Sequence, residues 1–253
     1  ELSPEDYVVE ICPALGALTE FILESGARVL AIEKDQRLAE FLRKRFETSR
    51  LEIIHGDALE FDLRRLFAES RVKLLGNLPY YIASQLLLKF TKYPSPISLW
   101  LLMLQKEMAR RISAAPGTSD YGALSLVVQL QYRVEFLRSV PATVFLPAPD
   151  VDSAFVRIAP RRPDELPPHD PETFFRLVRQ GFSQRRKQLR NLLRAEIPHW
   201  DEAAATIGFD PRARAEELGL EQWIALSNIA RSPAEKAALG DASEVFQVVD
   251  END

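Results

Sequence analysis

The sequence predicts an α/β protein: a mostly parallel, doubly wound sheet with an antiparallel edge hairpin, followed by a small all-α domain. Three observations lead there. From Tyr7 to Ser113, short apolar β-rich runs alternate with amphipathic helical stretches, as expected of strands covered on both faces by crossover helices. Two more strand-like runs, Arg133–Val140 and Ala154–Ile158, close the series and are expected to pair as a hairpin at the sheet edge. Beyond the proline-rich break Pro160-Arg161-Arg162-Pro163 and Pro167-Pro168, where neither element can continue, the pattern is entirely helical. The expected domains are 1–160, 164–232 and an acidic, disordered tail over 233–253.

Taken in order, Tyr7–Cys12 reads as the first strand, and Leu18, Phe21 and Ile22 give helical spacing up to the stop at Gly26. Arg28–Glu33 is a second buried strand ending in an acid. Gln36–Phe46 is an amphipathic helix with Leu38, Phe41, Leu42 and Phe46 on one side. Leu51–His55 is the third strand, closing on Gly56-Asp57, and a short helix is expected within Phe61–Glu69. Val72–Gly76 is the fourth strand, followed by Ser84–Phe90 (helix), Ile97–Leu104 (strand) and Glu107–Ser113 (helix). The last domain reads as helices over Pro171–Glu196, Asp201–Ile207 and Leu220–Ile229, with Trp223 in its core.

Composition narrows the class. The chain has 253 residues, 46% apolar and 27% charged, enough for one large domain plus a small one. No apolar run approaches the roughly 20 residues of a membrane span. The beginning, Glu1-Leu2-Ser3-Pro4-Glu5-Asp6, lacks the basic end and apolar segment of a signal peptide. Cys12 is the sole cysteine and the three histidines stand far apart, so a cytosolic setting without disulfide or zinc site is expected. The net charge of −5 is misleading, because the segment from Pro233 on carries that whole excess of acids. Arg176 to Arg194 holds Arg176, Arg179, Arg185, Arg186, Lys187, Arg190 and Arg194 with no acid among them. Local density of this kind attracts phosphates despite an acidic overall pI.

Doubly wound sheets bind ligands beyond the carboxyl ends of their strands, and four such ends carry suggestive residues. Pro13–Gly16 lets backbone approach a ligand. Glu33 can accept both hydroxyls of a ribose, although a solvated strand-end acid reads the same way. Asp57 can accept an amino group, or cap a following helix. At Asn77-Leu78-Pro79-Tyr80, the Asn77 side chain and the Leu78 carbonyl can accept from an exocyclic amine, Pro79 fixes the geometry, and Tyr80 offers a stacking face. The first loop, Cys12-Pro13-Ala14-Leu15-Gly16, is a poor pyrophosphate nest. A nucleoside ligand without phosphates fits better, and S-adenosyl-L-methionine is the obvious one.

These residues also carry a specific resemblance. Glu10-Ile11-x-Pro13-x-x-Gly16-x-Leu18-Thr19, Glu33 with Asp35, Gly56-Asp57-Ala58 and Asn77-Leu78-Pro79-Tyr80-Tyr81 resemble the ribosomal RNA adenine N6-dimethylase family. So do Leu104-Gln105-Lys106-Glu107 with Ala109 and Arg111, Val144-Phe145-x-Pro147-x-Pro149-x-Val151-Asp152-Ser153-Ala154, and Phe182-Ser183-Gln184-Arg185-Arg186-Lys187 with Leu189-Arg190-Asn191. The likeness is greatest to the bacterial small-subunit branch. It implies a Rossmann-like S-adenosylmethionine-dependent methyltransferase fold, with the cofactor held by Glu10, Cys12, Pro13, Gly16, Glu33, Lys34, Gly56, Asp57, Ala58 and Asn77. It further implies Asn77, Leu78, Pro79, Tyr80 and Phe145 at the target adenine, although Phe145 reads equally as core beside Val144. Arg185, Arg186, Lys187 and Arg190 would meet rRNA phosphates within the 30S subunit or its precursor, with a monomer as the default. Where this chain has Cys12 and Ala14 the family usually has glycine, and a basic segment that precedes the first strand in the family is expected to be missing. Alternatives stay open: a large-subunit adenine methylase of the antibiotic-resistance type, an assembly or RNA-binding factor with an impaired pocket, or an amine methylase acting on DNA or on protein glutamine.

Overall fold

The structure, a computed structural model, describes residues 1–62, 72–78, 83–90, 96–162 and 164–230. The helix expected within Phe61–Glu69, apart from its first two residues, and the tail over 233–253 lie outside them. Contacts divide the chain into two compact units with the boundary between Glu165 and Leu166.

The first unit is α/β. In chain order it contains β1 (Tyr7–Ile11), α1 (Ala17–Glu24), β2 (Arg28–Glu33), α2 (Gln36–Arg45), β3 (Leu51–His55), β4 (Val72–Asn77) and α3 (Ala83–Phe90). Then follow β5 (Ile97–Gln105), α4 (Lys106–Ser113), α5 (Ala123–Gln131), β6 (Tyr132–Val140) and β7 (Ser153–Pro160). The seven strands run β3-β2-β1-β4-β5-β7-β6. The first five are mutually parallel, and β7 lies antiparallel between β5 and β6. This is the expected doubly wound sheet with its antiparallel edge, and the order reverses between β1 and β4, where such sheets bind ligands.

Strand alternation sorts the core into two layers. Val9 and Ile11 of β1, with Leu30 and Ile32 of β2, face a large core that also holds Leu86, Trp100, Ile112 and Val128. Val8, Val29 and Ala31 point the other way, onto Ile22 and Leu23 of α1. The alternation therefore puts Glu10 on the face covered by α1.

Three details depart from the sequence expectation. α1 buries Thr19, Ile22 and Leu23, while Leu18 and Phe21, assigned to its buried side, are exposed, Phe21 by 70%. Phe41 of α2 is likewise exposed. Helix α5 was not foreseen, because Ala123–Gln131 is apolar nearly all round. It is fixed by polar side chains that satisfy the last carbonyls of α4: Ser125 donates to Arg111 O, and Gln129 donates to Ile112 O and Ala114 O. Those carbonyls have no partner within their own helix.

The second unit is all helical: α6 (Pro171–Gly181), α7 (Leu189–Leu193), α8 (Trp200–Ile207) and α9 (Leu220–Ile229). Asp170 caps α6 by accepting from Thr173 N at 2.9 Å, with Pro171 at the first turn. The single helix expected over Pro171–Glu196 is broken at Gly181, and residues 182–188 form turns. Gly181 packs so closely on α9 that a Cβ there would lie 2.4 Å from Trp223. Trp223 is fully buried and stacks on Phe182, ring centroids 5.8 Å apart.

Candidate nucleoside and target-base site

Since β1 to β5 are parallel, their carboxyl ends share one edge of the sheet. Along it the order β3-β2-β1-β4 sets Asp57, Glu33, the 12–16 loop and Asn77 side by side. At roughly 4.8 Å per strand, Asp57 and Asn77 stand about 14 Å apart along the edge, the reach of a nucleoside carrying an amino-acid arm.

The loop after β1 is tightly wound. Cys12 N donates to Ile32 O and Gly16 N to Pro13 O. Cys12 and Ala14 both adopt left-handed backbone, φ 55° and 52°, as does Gly16 at 81°. Left-handed backbone strains any residue with a Cβ, so the two positions where the family pattern has glycine are positions that call for it. At Gly16 glycine is doubly required, since a Cβ would lie 2.5 Å from the Phe46 ring. The Cys12 thiol is pushed up to about 11 by burial, with the Glu33 charge adding to it, and is therefore a protonated, inert group near neutral pH.

Glu33 is 5% exposed, and each carboxylate oxygen is held by one backbone amide: Oε2 accepts from Ala14 N at 3.1 Å and Oε1 from Asp35 N at 3.0 Å. Each oxygen keeps a lone pair for a ribose hydroxyl, so the buried acid fits that group. Glu10 is 1% exposed, and its Oε2 accepts from the Thr19 hydroxyl at 2.7 Å. Burial, with the Glu33 charge adding to it, pushes its carboxyl up to about 7. Asp57 accepts from Leu59 N at 2.9 Å and pairs with Lys34 Nζ at 2.8 Å. These contacts, the Lys34 ammonium first, hold it below the usual carboxylate range. Asp57 thus fastens the turn that follows β3 through one oxygen, while its second oxygen meets the exposed Lys34.

Asn77 closes β4 opposite Met103 with its side chain exposed. Leu78 N donates to Met103 O at 3.2 Å, and the Leu78 side chain is buried, so the Asn77–Leu78 peptide is fixed from both sides. Pro79 and Tyr80 lie outside the described residues. Phe145 sits in the connection between β6 and β7. Because Ser153 pairs with both Gln105 and Val140, that connection emerges at the same sheet edge. Phe145 is half-buried beside an exposed Val144, so it is not the core residue that one reading allowed. Lys106 and Asp152, quoted in the sequence motifs without a role, anchor this loop: Nζ lies 3.2 Å from Oδ2, and Lys106 N donates to Asp152 O.

The basic residues belong to the helical unit. Arg185, Arg186 and Lys187 are exposed in the turns after α6, not on a helix face. Acids from outside the stretch fold back onto it, Asp201 to Arg190 at 3.2 Å and buried Glu196 to Arg176 at 3.9 Å. The patch is therefore less positive than the sequence density suggested. Among the described residues no group of acids, histidines or cysteines could hold a metal ion, and no helix is long and apolar enough to cross a membrane.

Comparison with known proteins identifies the family. The chain is 42% identical over 225 residues to "Ribosomal RNA small subunit methyltransferase A" of Laribacter hongkongensis, covering 89% of this chain and 85% of that one. It is 41% identical over 240 residues to the protein of that name from Halothermothrix orenii, covering 90% and 80%. Its fold matches a dimethyladenosine transferase from Plasmodium falciparum (TM-score 0.74, 24% identity, 90% and 93% covered) and the 23S rRNA methyltransferase ErmE (0.73, 26%, 90% and 92%). The family model "Ribosomal RNA adenine dimethylase" matches residues 1–232, and the chain belongs to that family.

Proposed function

We propose that this S-adenosylmethionine-dependent rRNA adenine dimethyltransferase modifies N6 of two adjacent adenines in the 3′-terminal hairpin of small-subunit rRNA. It would act in the bacterial cytoplasm, as a monomer, on the 30S subunit or its precursor. The observation that carries the reading is the alignment of buried Glu33 and exposed Asn77 at one sheet edge, flanking the β1 loop. The small-subunit relatives support the choice of RNA.

When bound, S-adenosylmethionine supplies an electrophilic sulfonium methyl. Glu33 would accept the ribose hydroxyls, Asp57 and Ala58 would meet the adenine with Lys34 swinging aside, and Glu10, Cys12, Pro13, Gly16 and Gly56 would shape the rest of the pocket. The Asn77 side chain and the Leu78 carbonyl would accept from the target amine, favouring its pyramidal form and aiming its lone pair. This is catalysis by positioning and electrostatics, without a general base. Tyr80 and Phe145 would stack on the two faces of the base, and Pro79 would hold the acceptor carbonyl in place. Arg185, Arg186, Lys187 and Arg190 would contact phosphates.

The test is nucleoside mass spectrometry on unmethylated small subunits incubated with the protein and S-adenosylmethionine. Dimethyladenosine should appear in the 3′-terminal hairpin, and Asn77→Ala should lower kcat by roughly 10²- to 10³-fold, as loss of a preorganised polar contact does. Product on large-subunit rRNA instead would favour the second reading, which the likeness to ErmE supports.

A further inference from the structure

We infer that Leu146 is a wedge that enters the RNA stack when the target adenine leaves it, a role that rests on the function proposed above. A base moved into a catalytic pocket leaves a gap, and proteins that unstack nucleic acid commonly fill such gaps with an apolar side chain. Leu146 suits that task by exposure, place and rigidity.

Its exposure is complete, at 101%. A lone exposed leucine needs no explanation, but this one tops a loop whose Val144 and Val151 are also exposed. The loop therefore presents three large apolar side chains to water. Their place follows from the strand register: the loop between β6 and β7 emerges at the sheet edge that carries Glu33 and Asn77, and Leu146 directly follows Phe145. A side chain next to the one stacking on the extruded base is well placed to occupy the vacated position. The loop is also tied down. Asp152 accepts from Ala142 N at 3.1 Å and pairs with Lys106, while Val144 N and Phe145 N donate to Pro141 O and Ala142 O. Pro147 and Pro149 have fixed φ. Insertion therefore orders little new backbone, which keeps its entropic cost low.

The test uses hairpin RNA with 2-aminopurine at the target position, whose emission rises when the base unstacks, in the presence of S-adenosylhomocysteine. Wild type should raise the emission; Leu146→Ala should cut that rise severalfold, and Leu146→Met should keep it. In turnover, Leu146→Ala should lose roughly tenfold in kcat/KM on the hairpin. It should match wild type on a single-stranded oligonucleotide in which abasic sites flank the target adenine. Full exposure of the side chain makes misfolding an unsuitable explanation for such a split. A wild-type emission rise in Leu146→Ala, or an equal loss on both substrates, overturns the wedge. A wild type that neither raises emission nor methylates unmethylated small subunits overturns the underlying function as well, so the two failures are distinct.

Discussion

Replacing Ala14 by glycine should stabilise this protein, although glycine usually does the reverse. Ala14 sits at φ 52°, and left-handed backbone costs a residue with a Cβ roughly 1–2 kcal/mol. Glycine removes that strain but loosens the unfolded chain, at a cost of about 0.4–1 kcal/mol. The difference is a gain between about 0 and 1.6 kcal/mol, centred on about 0.8 kcal/mol. Little offsets it, since the Ala14 side chain is exposed and the hydrogen bond to Glu33 comes from the backbone. Cys12→Gly relieves the same strain yet loses packing against the core, so it should come out near neutral. Gly16→Ala is the counter-experiment. It adds the left-handed penalty and places a Cβ 2.5 Å from Phe46 and 2.8 Å from Leu42, for a loss of roughly 3 kcal/mol. Urea unfolding at constant m value measures all three. Ala14→Gly destabilised by about 0.5 kcal/mol or more, or a neutral Gly16→Ala, would refute the claim that this loop is strained where glycine is missing.

Three further substitutions probe the rest of the molecule. Glu10 has its folded pKa raised to about 7 from an ordinary 4.5, so between those values the native state binds more protons and stability falls as pH rises. Glu10→Gln should abolish that fall, worth roughly 3 to 3.5 kcal/mol in full, with the unfolding free energy followed from pH 4.5 to 8; a wild-type curve flat over that range would sink the assignment. Gly181→Ala should destabilise the helical unit by roughly 1–3 kcal/mol through its clash with Trp223 and Leu189, seen as an earlier thermal transition. Arg186→Ala should weaken RNA binding alike for all sequences and lower the slope of log K against log salt by about one; an unchanged slope in anisotropy titrations would remove Arg186 from the phosphate contacts.

The parallel sheet was legible because β1, β2 and β4 are buried on both faces and so read as apolar runs ending in chemically distinctive residues. What the sequence hid was set by tertiary contact. The apolar spacing of α1 fits two faces equally, and the sheet selects Thr19, Ile22 and Leu23 over Leu18 and Phe21. Helix α5 has no polar face to mark it, and its position rests on Ser125 and Gln129 meeting carbonyls of α4. The helix ends at a glycine, and what the local sequence does not show is that this glycine packs against a tryptophan more than forty residues away.

The site shows the same division. Glu33, Asp57 and Asn77 could be read as ligands from their places at strand ends, but not what already holds them. Glu33 is pinned by the amides of Ala14 and Asp35, and Ala14, which stands where the family usually has glycine, is itself left-handed. Strain and preorganisation thus meet at one residue of this loop. Glu10 gives the complementary case: strand alternation alone carries its side chain under α1, where Thr19 receives it. A carboxyl buried there near a second acid binds its proton tightly. Whatever Glu10 does at neutral pH, it does from a balance between charged and neutral forms that Glu33, at the same edge, helps to set.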